Sequence, residues 1–322
     1  LLNERVSHEH IRHCPRRRRR LGDLGEYGFI AALGFVLGFA MNRGSICTVI
    51  ATRELVLERR PARFIALVEC AAWAALVYAI LETAPMMPEG WSSLGYLVPA
   101  AILLGIGSYV DGACVFGSVG HLGNGEIEFA FTFLGIYAVV YIESLLDLLA
   151  DRPAIDAAPS LGAAIPALLL LAVVSLRLGV SHRSKSSFRR LSLSMGAVGI
   201  TSSILAVLGP GFSVTASFGP IASIPVAGAV VSFSMFGGSL VSARLRKHGF
   251  MLKWPTVKTM LKRTLAGMLM GLGALLIPGG NDTLLLIGLP AGAWQAALAY
   301  GLFVATLAAL ILKLGSIAKA WS

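Results

Sequence analysis

The chain has 322 residues, of which 56% are apolar and 14% charged, and its formal net charge is +10. A soluble fold of this length has too little interior to hide so many apolar runs, whereas a bilayer supplies that interior. The basic residues cluster within 12–20, 53–63, 183–190 and 244–263, between apolar runs, which is the positive-inside pattern of an inner membrane protein. Anionic headgroups account for the arginine run at 16–20 more simply than nucleic acid does.

In chain order, residues 1–26 read as a basic cytoplasmic arm that carries Cys14, with no small-x-small cleavage site after Met41. A short apolar run, 27–41, is notched by Gly34 and Gly38 and ends at Asn42, Arg43 and Gly44. A long run, 64–83, contains Glu69 and Cys70, the latter read as a small buried hydrophobe. A second short run, 94–109, ends at Asp111 and Gly112, and a long one, 129–149, carries Glu143 and Asp147, to which no role is assigned. The long run 161–179 stands alone. The plan then repeats: short 191–208 ending at Gly209, Pro210 and Gly211, long 221–241, short 265–277 ending at Pro278, Gly279 and Gly280, and long 294–314 before a tail at 315–322.

This order predicts an all-α polytopic membrane protein with about nine membrane segments. It forms one domain over 27–314, in two pseudo-repeated halves at 27–150 and 190–314. Interrupted apolar segments at matching places in two halves point to a transporter site near the midplane, since irregular backbone survives at that depth only where it lines a cavity. If all four basic clusters face the cytoplasm, the stretch between Arg20 and Arg53 holds a re-entrant pair. The Lys- and Arg-free stretches 86–91 and 209–220 then face outward.

Chemistry concentrates in the turns. Cys47 follows Gly38 by nine positions and Cys114 follows Gly105 by nine, and neither cysteine belongs to a zinc or CxxC pattern. Half-helices beginning near Ser45 and Ala113 would aim free N–H groups and the positive ends of their dipoles into a cavity, a setting for an anion. Thiols are weak donors and soft contacts, so a sulfur-bearing anion suits them better than chloride or phosphate. Arg43 and Asp111 precede Gly44 and Gly112; they either pair with each other across the repeat or end their helices in interfacial water. His121 reads as an exposed loop histidine rather than a proton relay. In the third turn, Asn281 is expected to face the cavity beside the cysteines. Asp282 is expected to cap the segment starting at Thr283. No GxxxxGK[ST] motif provides for ATP, and no cofactor is called for.

The glycine-notched helix, the run Arg43, Gly44, Ser45, Ile46, Cys47, the run from Asp111 through Cys114 to Gly117, and the turn from Pro278 to Asp282 together resemble the YeeE/YedE family. The resemblance covers about 27–314. It implies a bacterial inner membrane protein concerned with sulfur compounds, in some members thiosulfate uptake. It also implies that Cys47 and Cys114 hydrogen-bond the passing ion; from the turns themselves, Arg43, Gly44, Ser45, Gly112, Gly280 and Asn281 are expected to line the path beside them. Thiosulfate carriers of that family also have a cysteine in the C-terminal turn; here Gly280, Asn281 and Asp282 stand instead. Two further readings compete. One is a membrane sulfur-transfer enzyme with Cys47 or Cys114 as nucleophile, for which His121 is the one local base candidate. The other is a scaffold that recruits a cytoplasmic sulfur-carrier protein through the basic loops.

Overall fold

The computed structural model describes residues 24–83, 91–146, 154–155, 168–169, 171–176, 185–208, 226–246, 250–277 and 279–320. The arm to residue 23, Cys14, Asp147, the turn at Gly209 and most of the run 161–179 lie outside the described residues. The framework is built from α1 (Leu24–Gly44), α2 (Thr48–Leu57), α3 (Ala62–Ile80), α4 (Leu94–Asp111), α5 (Val115–Gly123), α6 (Ala130–Leu146), α7 (Lys185–Leu208), α8 (Val226–Arg244), α9 (Val257–Leu276), α10 (Asn281–Thr283, running into a π turn at Leu284–Gly288) and α11 (Trp294–Ala320). A two-residue antiparallel pair joins Trp91 to Ile155 and Ser92 to Ala154.

Among the described residues, seven helical stretches are long and apolar enough to cross a membrane, or eight if the bent pair Val257–Leu276 and Asn281–Gly288 is one span. The stretch Ile127–Leu146 is strongly apolar, yet only 22% of it is buried within the protein. Water would expel such a surface, so the chain is a multi-pass membrane protein and this face meets lipid.

Glycine decides how the helices pack. Gly34 and Gly38 of α1 lie on Val231 and Met235 of α8, and a Cβ on Gly38 would stand 1.8 Å from the Met235 carbonyl oxygen. Gly267 of α9 meets Thr132 of α6 in the same way, with a Cβ 2.1 Å from the Thr132 carbonyl oxygen. Small residues thus let backbones touch where no hydrophobic effect drives helix to helix. The order of these contacts fixes direction: α1 runs parallel to α8, α6 to α9 and α3 to α7, while α4 runs antiparallel to α9. The α2–α3 turn, the start of α7 and the α8–α9 connection therefore share one end of the molecule. That basic end holds Arg53, Arg59, Arg60, Arg63, Arg190, Arg244, Arg246, Lys253 and Arg263.

Three spans are broken. In the first, Gly25–Leu57, α1 closes with Ser45 N–H bonded to the Asn42 carbonyl (3.2 Å) and Ile46 N–H to the Met41 carbonyl (3.1 Å), and α2 restarts at Thr48. The expected re-entrant pair is not formed here. The short capped turn offsets the helix axis without reversing it, so α1 and α2 make one crossing. The start of α1 and the Arg53 cluster accordingly lie at opposite ends. The second break separates α4 from α5 inside the span Leu94–Gly123; the third bends α9 against α10 by 51°.

Candidate functional site at the helix breaks

The three breaks share one local design. Each upstream helix unwinds, and each downstream half-helix begins on an extended N-cap residue: Cys47 (φ −154°, ψ 119°), Cys114 (φ −85°, ψ 175°) and Gly280 (φ −84°, ψ −162°). Gly280 follows Gly271 by the same nine positions that separate each cysteine from its glycine, so it holds the place of a third cysteine and Asn281 opens α10. Two of the turns need a left-handed residue two positions before the cap. Gly112 adopts it at φ 79°, and Ser45 adopts it at φ 49° against the usual preference of a side-chain-bearing residue. Ser45, rather than Gly44, is thus the counterpart of Gly112. Gly44 instead ends α1 against α7, where a Cβ would stand 2.9 Å from Ser194 Cβ.

The caps converge. The Cys114 thiol donates to Cys47 Sγ at 3.7 Å, and Thr48 N–H, the first free donor of α2, reaches Cys114 Sγ at 3.4 Å. Gly117 N–H, from the first turn of α5, also approaches Cys114. Two half-helix N-termini from different spans therefore bear on one sulfur, where their dipoles favour negative charge. The Thr48 hydroxyl pairs with Tyr300 OH of α11 at 3.2 Å, closing the far side. Gly117 is what admits this approach, since a Cβ there would lie 2.7 Å from Cys47 Sγ.

Asn281 faces Cys114 without closing a hydrogen bond to it. Its side chain is fully buried, and both the amide nitrogen and the amide oxygen lack a partner. Leaving such an amide empty costs about 1–3 kcal/mol, so the position suits a polar group that comes and goes. Asp282 sits in the first turn of α10, where a carboxylate suits the helix dipole, but the cap is Gly280 and α10 starts at Asn281 rather than Thr283.

From the basic end a cleft of about 80 Å³ reaches down to Cys47. Asn42, Ser45, Gly117, His121 and Asn124 are among its walls. It has room for a few waters or one small anion. Cys114 and Asn281 lie beyond Cys47, fully buried, and the route is closed at that point.

Arg43 and Asp111 are not partners. Asp111 accepts from Thr132 (2.7 Å) and Ser118 (3.1 Å) and pairs with Arg263 of α9 at 3.3 Å, because the last turn of α4 faces α9. The same guanidinium binds Glu128 at 2.7 Å and lies 3.8 Å over the Phe129 ring. Arg43 lies instead within electrostatic reach of Arg246, just past the end of α8. His121 is helical rather than in a loop: it occupies the last turn of α5, walls the cleft, stacks on Phe129 at 4.4 Å and bonds Glu126 at 3.1 Å. That bond, with help from Lys253, holds the Glu126 carboxyl down at about 2. Cys70 is buried in α3 against α7.

Sequence reasoning passed over Thr48, Gly117, Asn42, Asn124, Tyr300 and Arg246. Thr48 and Gly117 had a signal in their place just after each cysteine. Tyr300 had none, since an aromatic residue in a long apolar helix is ordinary. Among the described residues no group of three or more His, Cys, Asp or Glu side chains could hold a metal ion.

Two stretches of the chain, 43–181 and 156–309, match the profile of a family described as Sulphur transport. Comparison with curated proteins gives no match.

Proposed function

The chain belongs to the sulphur transport family, and on that premise we propose that it carries a small sulfur-containing anion such as thiosulfate across a bacterial inner membrane, along Cys47, Cys114 and Asn281. The observation that carries this reading is the meeting of two thiols, 3.7 Å apart, at the N-caps of two half-helices, beside a buried amide with no partner. A sulfur anion arriving there exchanges water for thiol donors, the Thr48 N–H and the Asn281 amide, with two helix dipoles bearing on its charge. The ion passes from Cys47 to Cys114 to Asn281, while Ser45, Gly44, Gly112 and Gly280 shape the turns and Arg43 draws the anion to the mouth. An amide donates to oxygen more strongly than a thiol does, so this third position tolerates more oxidised anions than a cysteine would.

The packing pairs also support a pseudo-twofold arrangement of two halves in one domain over 27–314, with 1–26 as a basic arm. The α1–α8 contact has its counterpart in α7–α3, and α6–α9 in α11–α4, while α4 and α9 cross each other antiparallel between them. Inverted repeats with broken helices meeting at the midplane are a common transporter design. Among the described residues the gathering of arginine at one end supports a cytoplasmic place for that end; the arm 1–26, which leads into α1, then belongs to the opposite side rather than to the cytoplasm.

The test is uptake of labelled thiosulfate into vesicles reconstituted with Cys47→Ala, Cys114→Ala or both. Each single variant should lose most uptake while folding normally, because trimming a small buried thiol costs about 1 kcal/mol. Normal uptake by the double variant would remove both thiols from the path.

A further inference from the structure

Beside the cleft, charges gather that should repel. Arg246, just past the end of α8, donates from one Nη to the side-chain oxygens of Asn42 and Asn124, the second at 3.2 Å. Both asparagines are walls of the cleft. The Arg246 Nε–H is buried and without a partner, and so is Nη1 of Arg43 from the last turn of α1. Burial, then the charges of Arg43 and Arg190, lower the Arg246 pKa.

The carboxylates described at this end are engaged: Glu54 with Arg63, Glu58 with Arg60, Glu69 with Ser192 of α7, Glu126 with His121 and Lys253, and Asp111 and Glu128 with Arg263. Two neighbouring guanidinium groups, each with a buried N–H that no protein group accepts, suit an anion with several acceptor atoms. A halide would offset the charge but brings a single acceptor atom to donors on two side chains. An oxyanion with several oxygens and two negative charges does both.

We propose that Arg43 and Arg246, with Arg190 at the rim, form a second anion site at the basic mouth of the cleft, separate from the thiol pair, that binds a doubly charged tetrahedral oxyanion. Identifying that ligand with the transported sulfur anion rests on the transport reading above; the existence of the site does not. In the path this is a station where the ion waits before or after its passage by Cys47.

Sulfate is the probe, because it has the charge and oxygens but no terminal sulfur to engage thiols. The full chain in neutral detergent is melted in sodium sulfate and in sodium chloride at matched ionic strength. Sulfate should raise the melting temperature of the wild type and of Arg60→Gln, a control at an exposed ion pair. Arg246→Gln and Arg43→Gln should each need about tenfold more sulfate or more for the same shift, the effect of losing one charge-assisted hydrogen bond.

Should either variant fail to fold, the wild type alone gives the answer. Sulfate should protect Arg43 and Arg246 from phenylglyoxal, read by peptide mass spectrometry, while Arg60 stays reactive. Equal shifts in sulfate and chloride overturn the proposal, as does stabilisation seen only in phosphatidylglycerol nanodiscs, which would make the ligand a headgroup. Uptake separates this idea from the transport reading. Arginine variants that bind sulfate normally, in a protein that still needs Cys47 for uptake, sink the station alone. A sulfate shift lost with the arginines, in a wild type that takes up nothing, sinks transport alone.

Discussion

Replacing Gly117 with alanine adds one methyl where the two cysteine caps meet. Its Cβ would lie 2.7 Å from Cys47 Sγ, 3.1 Å from Ala113 Cβ and 3.2 Å from Cys47 Cβ. Ordinary contact lies at roughly 3.5–4.0 Å, so the Cys47 sulfur must retreat by about 1 Å, and the two other contacts block the methyl from yielding instead. Alanine gains about 0.8–1 kcal/mol over glycine inside a helix, while overpacking costs about 1–3 kcal/mol. The balance is a loss of about 0–2 kcal/mol, which a folded protein survives. The thiols, however, no longer sit 3.7 Å apart. Displacements of this size cost up to about a hundredfold where geometry controls a reaction, and thiosulfate uptake should fall at least about tenfold. Initial uptake rates in reconstituted vesicles, alongside thermal melts of the same preparation, measure both quantities. A Gly117→Ala protein that melts near the wild type and transports at the wild-type rate would refute the claim that the thiol spacing governs passage.

Asn281→Leu should move stability and function in opposite directions. Filling the position with carbon removes two unsatisfied buried polar atoms, which should raise stability by about 1–3 kcal/mol, and uptake should be lost; a loss of both would make the amide structural. Ser45→Gly relieves a side-chain-bearing residue at φ 49°, worth about 1 kcal/mol less the added backbone freedom of glycine in the unfolded chain. Its melting temperature should therefore rise slightly with uptake intact, and a fall would show that the hydroxyl matters more than the strain. Glu126 has its pKa lowered from 4.5 to about 2 in the fold. The stabilisation it contributes is thus complete above pH 4.5 and is lost as pH falls through 2. In Glu126→Gln the melting temperature should decline less steeply across that window, and identical pH curves would dissociate the carboxylate from the stability of the loop.

The helix breaks were legible because each combines a glycine at a fixed distance with a turn residue and a polar run, all of them local. Nine positions from Gly38, Gly105 and Gly271 lead to three N-caps, and this held even where Gly280 replaced a cysteine. The partnership of charges was not legible. Matching Arg43 to Asp111 aligned Gly44 with Gly112, whereas the left-handed residues are Ser45 and Gly112; one position of slip rotates a helical side chain by about 100°, from one neighbour to another. The direction of α2 was also hidden. Charge counting places turns on sides of the membrane, but whether a three-residue turn reverses the chain depends on its cap bonds. Arg263 found Asp111 from about 150 residues away through the antiparallel packing of α4 on α9, and no spacing encodes that.

The backbone contacts through glycine also bear on how the molecule moves. Where Gly38 and Gly238 lock α1 to α8, and Gly135 and Gly267 lock α6 to α9, a slide of one residue would bring a Cβ into a carbonyl oxygen. Such seams behave as ratchet teeth already at their stop, and they leave little soft rigid-body motion along the helix axes. The compliant parts at the centre are the three turns and the side chains on them. A carrier of this build is expected to be paced by movements of the turns within a still frame, and loop motions run faster than the rocking of whole bundles. Its turnover should accordingly show the shallow temperature coefficient of a pore, and cross-linking α1 to α8 should slow it little.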